Sequence, residues 1–239
     1  MRNVVLTAAL ALAAAAPAEA QMQWLDQVFV NVNAGAQTSS HETSVSGSFA
    51  LYDEVSTFQG RREIGGGGLF DLSAGTRVWR NLAVGVGYSR FADSSGIEIT
   101  ALVPDRLIPG SPHEQTIGTG ELDHSENAVH LSAIWFWPVT DKIDVALSAG
   151  PSIFSISQES VTITEGNVEP GTSTLTGVTR TEASETTVGF HTGVDVTYLV
   201  TPRFGAGLLL RYAGGSTDIG GADVDVGGFQ IGVGLRVRF

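Results

Sequence analysis

The chain of 239 residues contains no cysteine, one lysine and no long apolar run after its first twenty residues. Without cysteine, an exported protein has no disulfide framework, so hydrogen bonding and packing must hold its fold. No segment after residue 20 approaches the roughly 18 consecutive apolar residues of a transmembrane helix. Positive charge is also scarce, and the net charge of −12 argues against nucleic acid as a partner, because phosphates would repel it.

Arginine takes almost the whole of the positive charge. Twelve arginines accompany the single Lys142. The planar guanidinium pairs with carboxylates through two parallel hydrogen bonds, which an ammonium group cannot do. This bias favours arginines that pair with carboxylates over cations that merely solubilise the surface.

The N-terminal segment has the three parts of a secretory signal. Arg2 precedes an apolar run over residues 4–16, and the sequence Pro17-Ala18-Glu19-Ala20 supplies a cleavage site of small residues. The run is too short to cross a bilayer as a helix. We therefore predict a signal peptide over residues 1–20 and one mature domain over residues 21–239; the alternative is a buried N-terminal helix.

The last ten residues alternate between an apolar and a polar register. The apolar register holds Ile231, Val233, Leu235, Val237 and Phe239, and the other holds Gln230, Gly232, Gly234, Arg236 and Arg238. A period of two indicates a β-strand with one apolar and one polar face. Seven earlier segments alternate in the same way, namely residues 28–37, 70–78, 82–89, 128–137, 143–153, 188–198 and 204–212.

The connections between these eight segments are alternately short and long. Short turns are expected at Arg80-Asn81, at residues 139–141 and at Thr201-Pro202, each preceded by aromatic residues. Long polar loops are expected over residues 38–65, 92–125, 155–185 and 215–223. This pattern predicts an all-β fold: an eight-stranded antiparallel up-and-down transmembrane β-barrel with short periplasmic turns and long extracellular loops. The alternative is a soluble, lipocalin-like barrel with its apolar face inside, but glycines dominate the polar face, as a narrow interior requires.

On these residues the chain resembles the small bacterial outer-membrane β-barrel family, which includes OmpA-like and OmpX-like barrels. The resemblance covers essentially the whole mature sequence. Phe239 matches the terminal aromatic of that family's assembly signal, and Val237, Leu235, Val233 and Ile231 match its alternate apolar positions. The resemblance implies outer-membrane lipid as the surroundings and the barrel-assembly machinery as a partner during insertion. Because the chain ends on this strand, we expect no peptidoglycan-binding domain.

The polar register predicts a charged interior. The inward positions are assigned to Asp71, Arg77, His130, Asp144, His191, Asp195, Arg211, Gln230, Arg236 and Arg238. Eight strands enclose a lumen just wide enough for side chains to fill it, and buried charges must be paired. Two interpretations follow: an ionic network that fills the barrel, or a narrow path for ions or small solutes.

The sequence predicts no catalytic, metal or cofactor site. His130-Leu131-Ser132 has the His-x-Ser spacing of outer-membrane lipid A deacylases, but no third residue that would orient the base is identifiable. His113 and His124 lack metal-ligand spacing. The glycine run over residues 65–68 is not followed by Lys-Ser/Thr and is no phosphate loop. We therefore expect a protein that is not an enzyme.

The predicted loops are the other candidates for function, because barrel loops commonly carry binding. Residues 92–125 and 155–185 hold many more carboxylates than cations. These carboxylates either keep the loops solvated or, through Ca²⁺ or Mg²⁺, contact an anionic surface glycolipid. A surface ligand is therefore one expected partner, and strands that extend beyond the membrane are expected near residues 160–164 and 173–176.

Overall fold

The computed structural model describes residues 24–38, 41–169, 172–219 and 222–239. The signal peptide predicted over residues 1–20 lies outside them. The strands are β1 (Val28–Thr38), β2 (His41–Leu51), β3 (Glu54–Ile64), β4 (Gly67–Trp79), β5 (Leu82–Val103), β6 (His113–Pro138), β7 (Ile143–Thr162), β8 (Thr179–Leu199), β9 (Phe204–Ile219) and β10 (Ala222–Arg238). A single 3₁₀ turn covers Glu165–Asn167, and no helix among these residues is long and apolar enough to cross a membrane.

Eight of the strands form a closed antiparallel ring. β1 pairs with β4, the pairing continues in chain order from β4 to β10, and β10 returns to β1. The ring contains the eight predicted segments, so the predicted fold class is confirmed. Closure leaves no unpaired edge in the ring, as a bilayer requires of a spanning sheet.

The seam between the first and last strands depends on close backbone approach. A Cβ atom at Gly234 would lie 1.8 Å from the Val32 carbonyl oxygen, and one at Gly35 would lie 1.9 Å from the Ile231 carbonyl oxygen. No other residue type fits these two positions without moving a strand. At the end of the seam, the Phe239 carbonyl accepts a hydrogen bond from the Val28 amide at 3.0 Å. Both described chain ends therefore lie on the side of the short turns, as the even strand number predicts.

The apolar register of each ring strand faces outward. On β5, Val84, Val86 and Tyr88 are exposed, and on β10 Leu235 is 66% exposed. The polar register faces inward, where Arg236 is fully buried. An apolar exterior around a charged interior is the arrangement of a membrane barrel and the reverse of a lipocalin-like one.

Toward the extracellular end the polarity of the inner face reverses. Beyond Phe91, the inward residues of β5 become Ile97, Ile99 and Ala101, all buried. They belong to an apolar cluster, called here the outer core, that comprises Leu51, Phe58, Ile97, Ile99, Ala101, Val103, Leu122, Val161, Ile163, Val168 and Leu175. The strands therefore continue past the polar lumen as a sheet folded around its own apolar core.

The segments predicted as long loops contain more β-strand than the sequence predicted. The prediction of a loop over residues 38–65 is wrong, because this segment holds the β2–β3 hairpin, which pairs with β5 from Thr57 to Gly60. Residues 92–125 are also largely strand, and only residues 104–112 connect β5 to β6. Residues 44–51 also alternate, but their outward positions hold small serines instead of apolar residues, so the strand was not predicted. Of the two expected strand extensions, the one near residues 160–164 is present as far as Thr162, where β7 ends. The one near residues 173–176 is wrong, because only Leu175 forms an isolated bridge there, with Val168.

Candidate functional site

The inward polar side chains form a network across the middle of the lumen. Arg211 Nη1 lies 2.8 Å from Asp71 Oδ2, and Asn33 donates to the same carboxylate at 2.9 Å. Arg211 Nε donates to Gln230 Oε1 at 2.6 Å, and Gln230 donates in turn to Gln37 at 2.6 Å. The network joins β4, β9, β10 and β1. Charge-assisted contacts of this kind compensate the cost of burying Arg211 and Asp71.

The network continues toward the extracellular end through Glu126. Its carboxylate accepts hydrogen bonds from the Gln37 amide at 3.3 Å and from the Gly227 backbone amide at 2.9 Å. Its other oxygen lies 3.0 Å from Nε2 of His124. Residues 123–125 belong to the predicted loop over 92–125, and that prediction is wrong there: they lie in β6 together with Glu126, and His124 and Glu126 are turned into the lumen.

A second ionic layer lies closer to the periplasm. Arg236 binds Asp195 with two hydrogen bonds, Nε to Oδ1 at 2.9 Å and Nη2 to Oδ2 at 2.5 Å. Thr197 donates to Asp195 at 3.2 Å and accepts from Arg238 at 3.0 Å. The second carboxylate of this layer, Asp144, lies 3.6 Å from Arg238. The bidentate geometry is the one for which arginine is suited.

An aromatic cluster closes the periplasmic end of the lumen. Trp24 stacks on Phe136 with a centroid distance of 3.8 Å, and Phe29 packs edge-on against both rings. The Arg238 guanidinium lies 5.5–5.9 Å from the three ring centroids and donates to Asn31 at 2.8 Å. A guanidinium over aromatic faces is attracted by their quadrupoles. We call Trp24, Phe29 and Phe136 the periplasmic plug.

Arg77 was predicted to join the lumen network, but the structure places it at the rim instead. It donates to the Trp24 carbonyl at 2.6 Å and lies near Gln27. The Trp24 amide donates to Asn81 at 3.2 Å. Arg77 and Asn81 therefore hold the segment before β1 across the barrel mouth.

The two lumen histidines belong to a chain of imidazole and hydroxyl side chains. Ser89 lies 2.9 Å from Nε2 of His130, and Ser152 lies 2.7 Å from its Nδ1. Ser152 also lies 2.9 Å from Nδ1 of His191, whose Nε2 lies 2.9 Å from Ser132. The Ser152 hydroxyl donates its single hydrogen to one imidazole, and its oxygen accepts a hydrogen bond from the other. His130 and Ser132, adjacent on one strand face, are therefore linked only through His191 and Ser152.

A cavity of about 50 Å³ lies between these groups. Asn33, Asp71, His130, His191 and Arg211 contribute to its lining. About 10–15 Å³ of such volume accommodates one water molecule, so a few waters fit. Phe91, Phe154 and Ile156 lie on the extracellular side of this level and are buried.

Several lumen residues were not singled out by the sequence. Asn33 and Gln37 stand on the polar register of the first strand, so their inward direction was visible in the alternation. Glu126 was missed because it lies between the predicted loop over residues 92–125 and the alternating segment that begins at residue 128. Among the described residues, no three His, Asp or Glu side chains form a group that would hold a metal ion.

The residues of the predicted assembly signal lie on the outer face of β10. Ile231, Val233, Leu235 and Phe239 are exposed there, and Val237 is partly buried.

The closed ring, the apolar exterior and the polar interior define a small eight-stranded transmembrane β-barrel. No protein-family model and no curated protein sequence match this chain. Solved structures do match it. Neisserial surface protein A is 18% identical, with a TM-score of 0.50, and the match covers 89% of this chain and 97% of that one. The outer membrane protein OprG from Pseudomonas aeruginosa is 8% identical, with a TM-score of 0.50, over 92% of this chain and 99% of that one. At these identities the likeness is one of fold.

Proposed function

We propose that this chain is an exported outer-membrane barrel that presents a rigid extracellular structure, and that its lumen is filled and does not conduct. The observation that supports the proposal is a set of buried apolar side chains at two levels of the lumen. The periplasmic plug lies at one end, and Phe91, Phe154 and Ile156 lie toward the other. Between them lies a cavity large enough for only a few waters. The alternative, a narrow pore, would require both apolar layers to move.

Planar-bilayer conductance of the refolded protein tests this proposal. The wild-type barrel is expected to give no discrete channel openings over a range of voltages. Charge changes at Arg77 and Arg211 distinguish the two interpretations, because a pore that passes these residues would change its conductance and ion selectivity. Discrete openings that disappear in Arg211→Gln would refute the filled-lumen proposal.

We also propose that the barrel is not an enzyme. His130 and Ser132 do not form a nucleophile–base pair, since Ser132 contacts His191 instead. His130 and His191 are buried inside the barrel, whereas a lipid substrate would lie outside it. Lipid A hydrolysis by purified wild-type protein that is lost in Ser132→Ala would contradict this.

The C-terminal strand supports a proposal about assembly. Leu235 and Phe239 are 66% and 59% exposed and contribute little to the lumen packing. These apolar side chains are therefore available for recognition by the barrel-assembly machinery and for contact with lipid. Crosslinking of residue 239 to that machinery during insertion would test this partner.

The extracellular sheet supports a proposal about a surface ligand. Glu159 and Glu182 stand directly opposite each other on the outer faces of β7 and β8, and the backbone amide of Asp123 donates to Glu159 at 3.0 Å. Arg180, whose Nη1 lies 3.7 Å from Glu159, offsets part of the repulsion between these adjacent carboxylates, and a divalent cation would relieve the rest. We propose that Mg²⁺ or Ca²⁺ links them to an anionic glycolipid. Chelation should lower the thermal stability of wild-type protein in glycolipid membranes and leave Glu159→Gln/Glu182→Gln unaffected; an equal loss in both would contradict the proposal.

A further inference from the structure

Three inward polar side chains lie side by side near the extracellular end of the lumen. Asp93 on β5 stands opposite His124 on β6, and His124 stands opposite Gln158 on β7. We call these residues the acceptor layer. On the periplasmic side they adjoin Phe91 and Ile156, and on the other side they adjoin the outer core. A polar layer between two apolar clusters has little access to water.

Each residue of the acceptor layer has a buried atom with no hydrogen-bond partner in the described part of the chain. These atoms are Oδ2 of Asp93, Nδ1 of His124 and Oε1 of Gln158. His124 is 2% exposed and Gln158 is 7% exposed. Buried polar atoms are nearly always paired, so three on adjacent strands at one level point to a shared ligand. Since the atoms of Asp93 and Gln158 are acceptors, the ligand must be a cation or a donor.

The orientation of His124 identifies it as the central ligand. Its Nε2 lies 3.0 Å from Oε1 of Glu126, and an ionised carboxylate only accepts hydrogen bonds. A proton therefore lies on Nε2, and in the neutral ring Nδ1 offers a free lone pair. The edge-on contact with Phe91, at 6.1 Å between ring centroids, restrains the ring. A histidine that donates one N–H to a carboxylate and offers its other nitrogen is the usual arrangement of a metal ligand.

We propose that Asp93, His124 and Gln158 bind a divalent cation of the zinc type, with Glu126 as the positioning residue. One imidazole nitrogen with oxygen donors suits Zn²⁺ and its neighbours, whereas Ca²⁺ and Mg²⁺ select oxygen donors alone. The third donor is an amide, which explains why no trio of His, Asp and Glu forms here.

The test is titration of ZnCl₂ into the refolded protein in nanodiscs, followed by calorimetry and by long-range ¹H–¹⁵N NMR of the histidine rings. We expect one saturable site, with the change in nitrogen shift at Nδ1 of His124. His124→Gln should abolish that site. Glu126→Gln, which keeps the side-chain shape, should weaken binding by on the order of 10–100-fold. Asp93→Asn should weaken it as well, and MgCl₂ should not compete.

The matched control is His113→Gln, which removes an exposed histidine from the extracellular end. It should bind Zn²⁺ as the wild type does. Heat-dependent mobility on SDS gels verifies that each variant is folded, and the ring spectra of the wild type remain decisive if His124→Gln does not fold. The proposal is overturned if Nδ1 of His124 does not respond at millimolar Zn²⁺, which would make the layer a hydration site only. It is equally overturned if His113→Gln, rather than His124→Gln, removes binding.

Discussion

Replacement of Asp195 by alanine tests how the barrel tolerates charge in its interior. Arg236 is fully buried, and its two carboxylate hydrogen bonds, at 2.9 and 2.5 Å, both go to Asp195. After the replacement its remaining hydrogen bond, at 3.0 Å, is to the Leu235 carbonyl. Leaving one partner of a buried ion pair uncompensated costs about 3–5 kcal/mol. We expect Asp195→Ala to lose about that much free energy of unfolding.

The assay is reversible urea unfolding in lipid vesicles, followed by the fluorescence of the four tryptophans. The matched control is Glu159→Ala, which breaks the Arg180–Glu159 contact of 3.7 Å, whose side chains are 44% and 29% exposed. Solvent screens that pair, so its loss should cost only about 0–1 kcal/mol.

A double variant separates the charge effect from the packing effect. Asp195→Leu combined with Arg236→Met removes both charges and keeps apolar volume. Because apolar replacement of a complete buried pair is often neutral, we expect the double variant to recover most of the stability lost by Asp195→Ala. The reasoning is refuted if Asp195→Ala is as stable as Glu159→Ala, or if the double variant is less stable than Asp195→Ala.

Three further predictions concern the seam, the plug and the C-terminus. Gly234→Ala places a methyl group against the Val32 carbonyl and should lower the free energy of unfolding by about 1–3 kcal/mol in the same urea assay. The control Gly68→Ala, with nothing within 4 Å of its Cβ, should change stability little. Equal effects of the two variants would contradict the close approach. Trp24→Ala removes the stacked ring of the plug and should cost about 3–5 kcal/mol by urea unfolding; an unchanged midpoint would contradict a sealing role. Deletion of Phe239, which is exposed, should reduce outer-membrane yield in cells more than the urea midpoint of refolded protein; normal yield would refute the assembly signal.

The periodicity of the sequence determined the barrel and the direction of its faces. Alternation over eight segments is a local property of each strand, since side chains point to opposite faces with a period of two. Alternation of Ile231 and Leu235 with Arg236 separated the two faces, and the glycines of the polar face assigned that face to the lumen. Strand parity then placed both described chain ends at the short turns.

Only the tertiary structure decided which side chains meet. The pairing of Arg236 with Asp195, and of Arg211 with Asp71, depends on register and shear between strands distant in sequence. The same holds for Asp93, His124 and Gln158, which share a layer although each lies on a different strand. The spacing of residues along the chain does not show which side chains become neighbours in the folded barrel. The polarity reversal that forms the outer core was not predicted for a related reason. A strand that leaves the membrane keeps its period of two, but its outer face then contacts water and its inner face packs against apolar side chains.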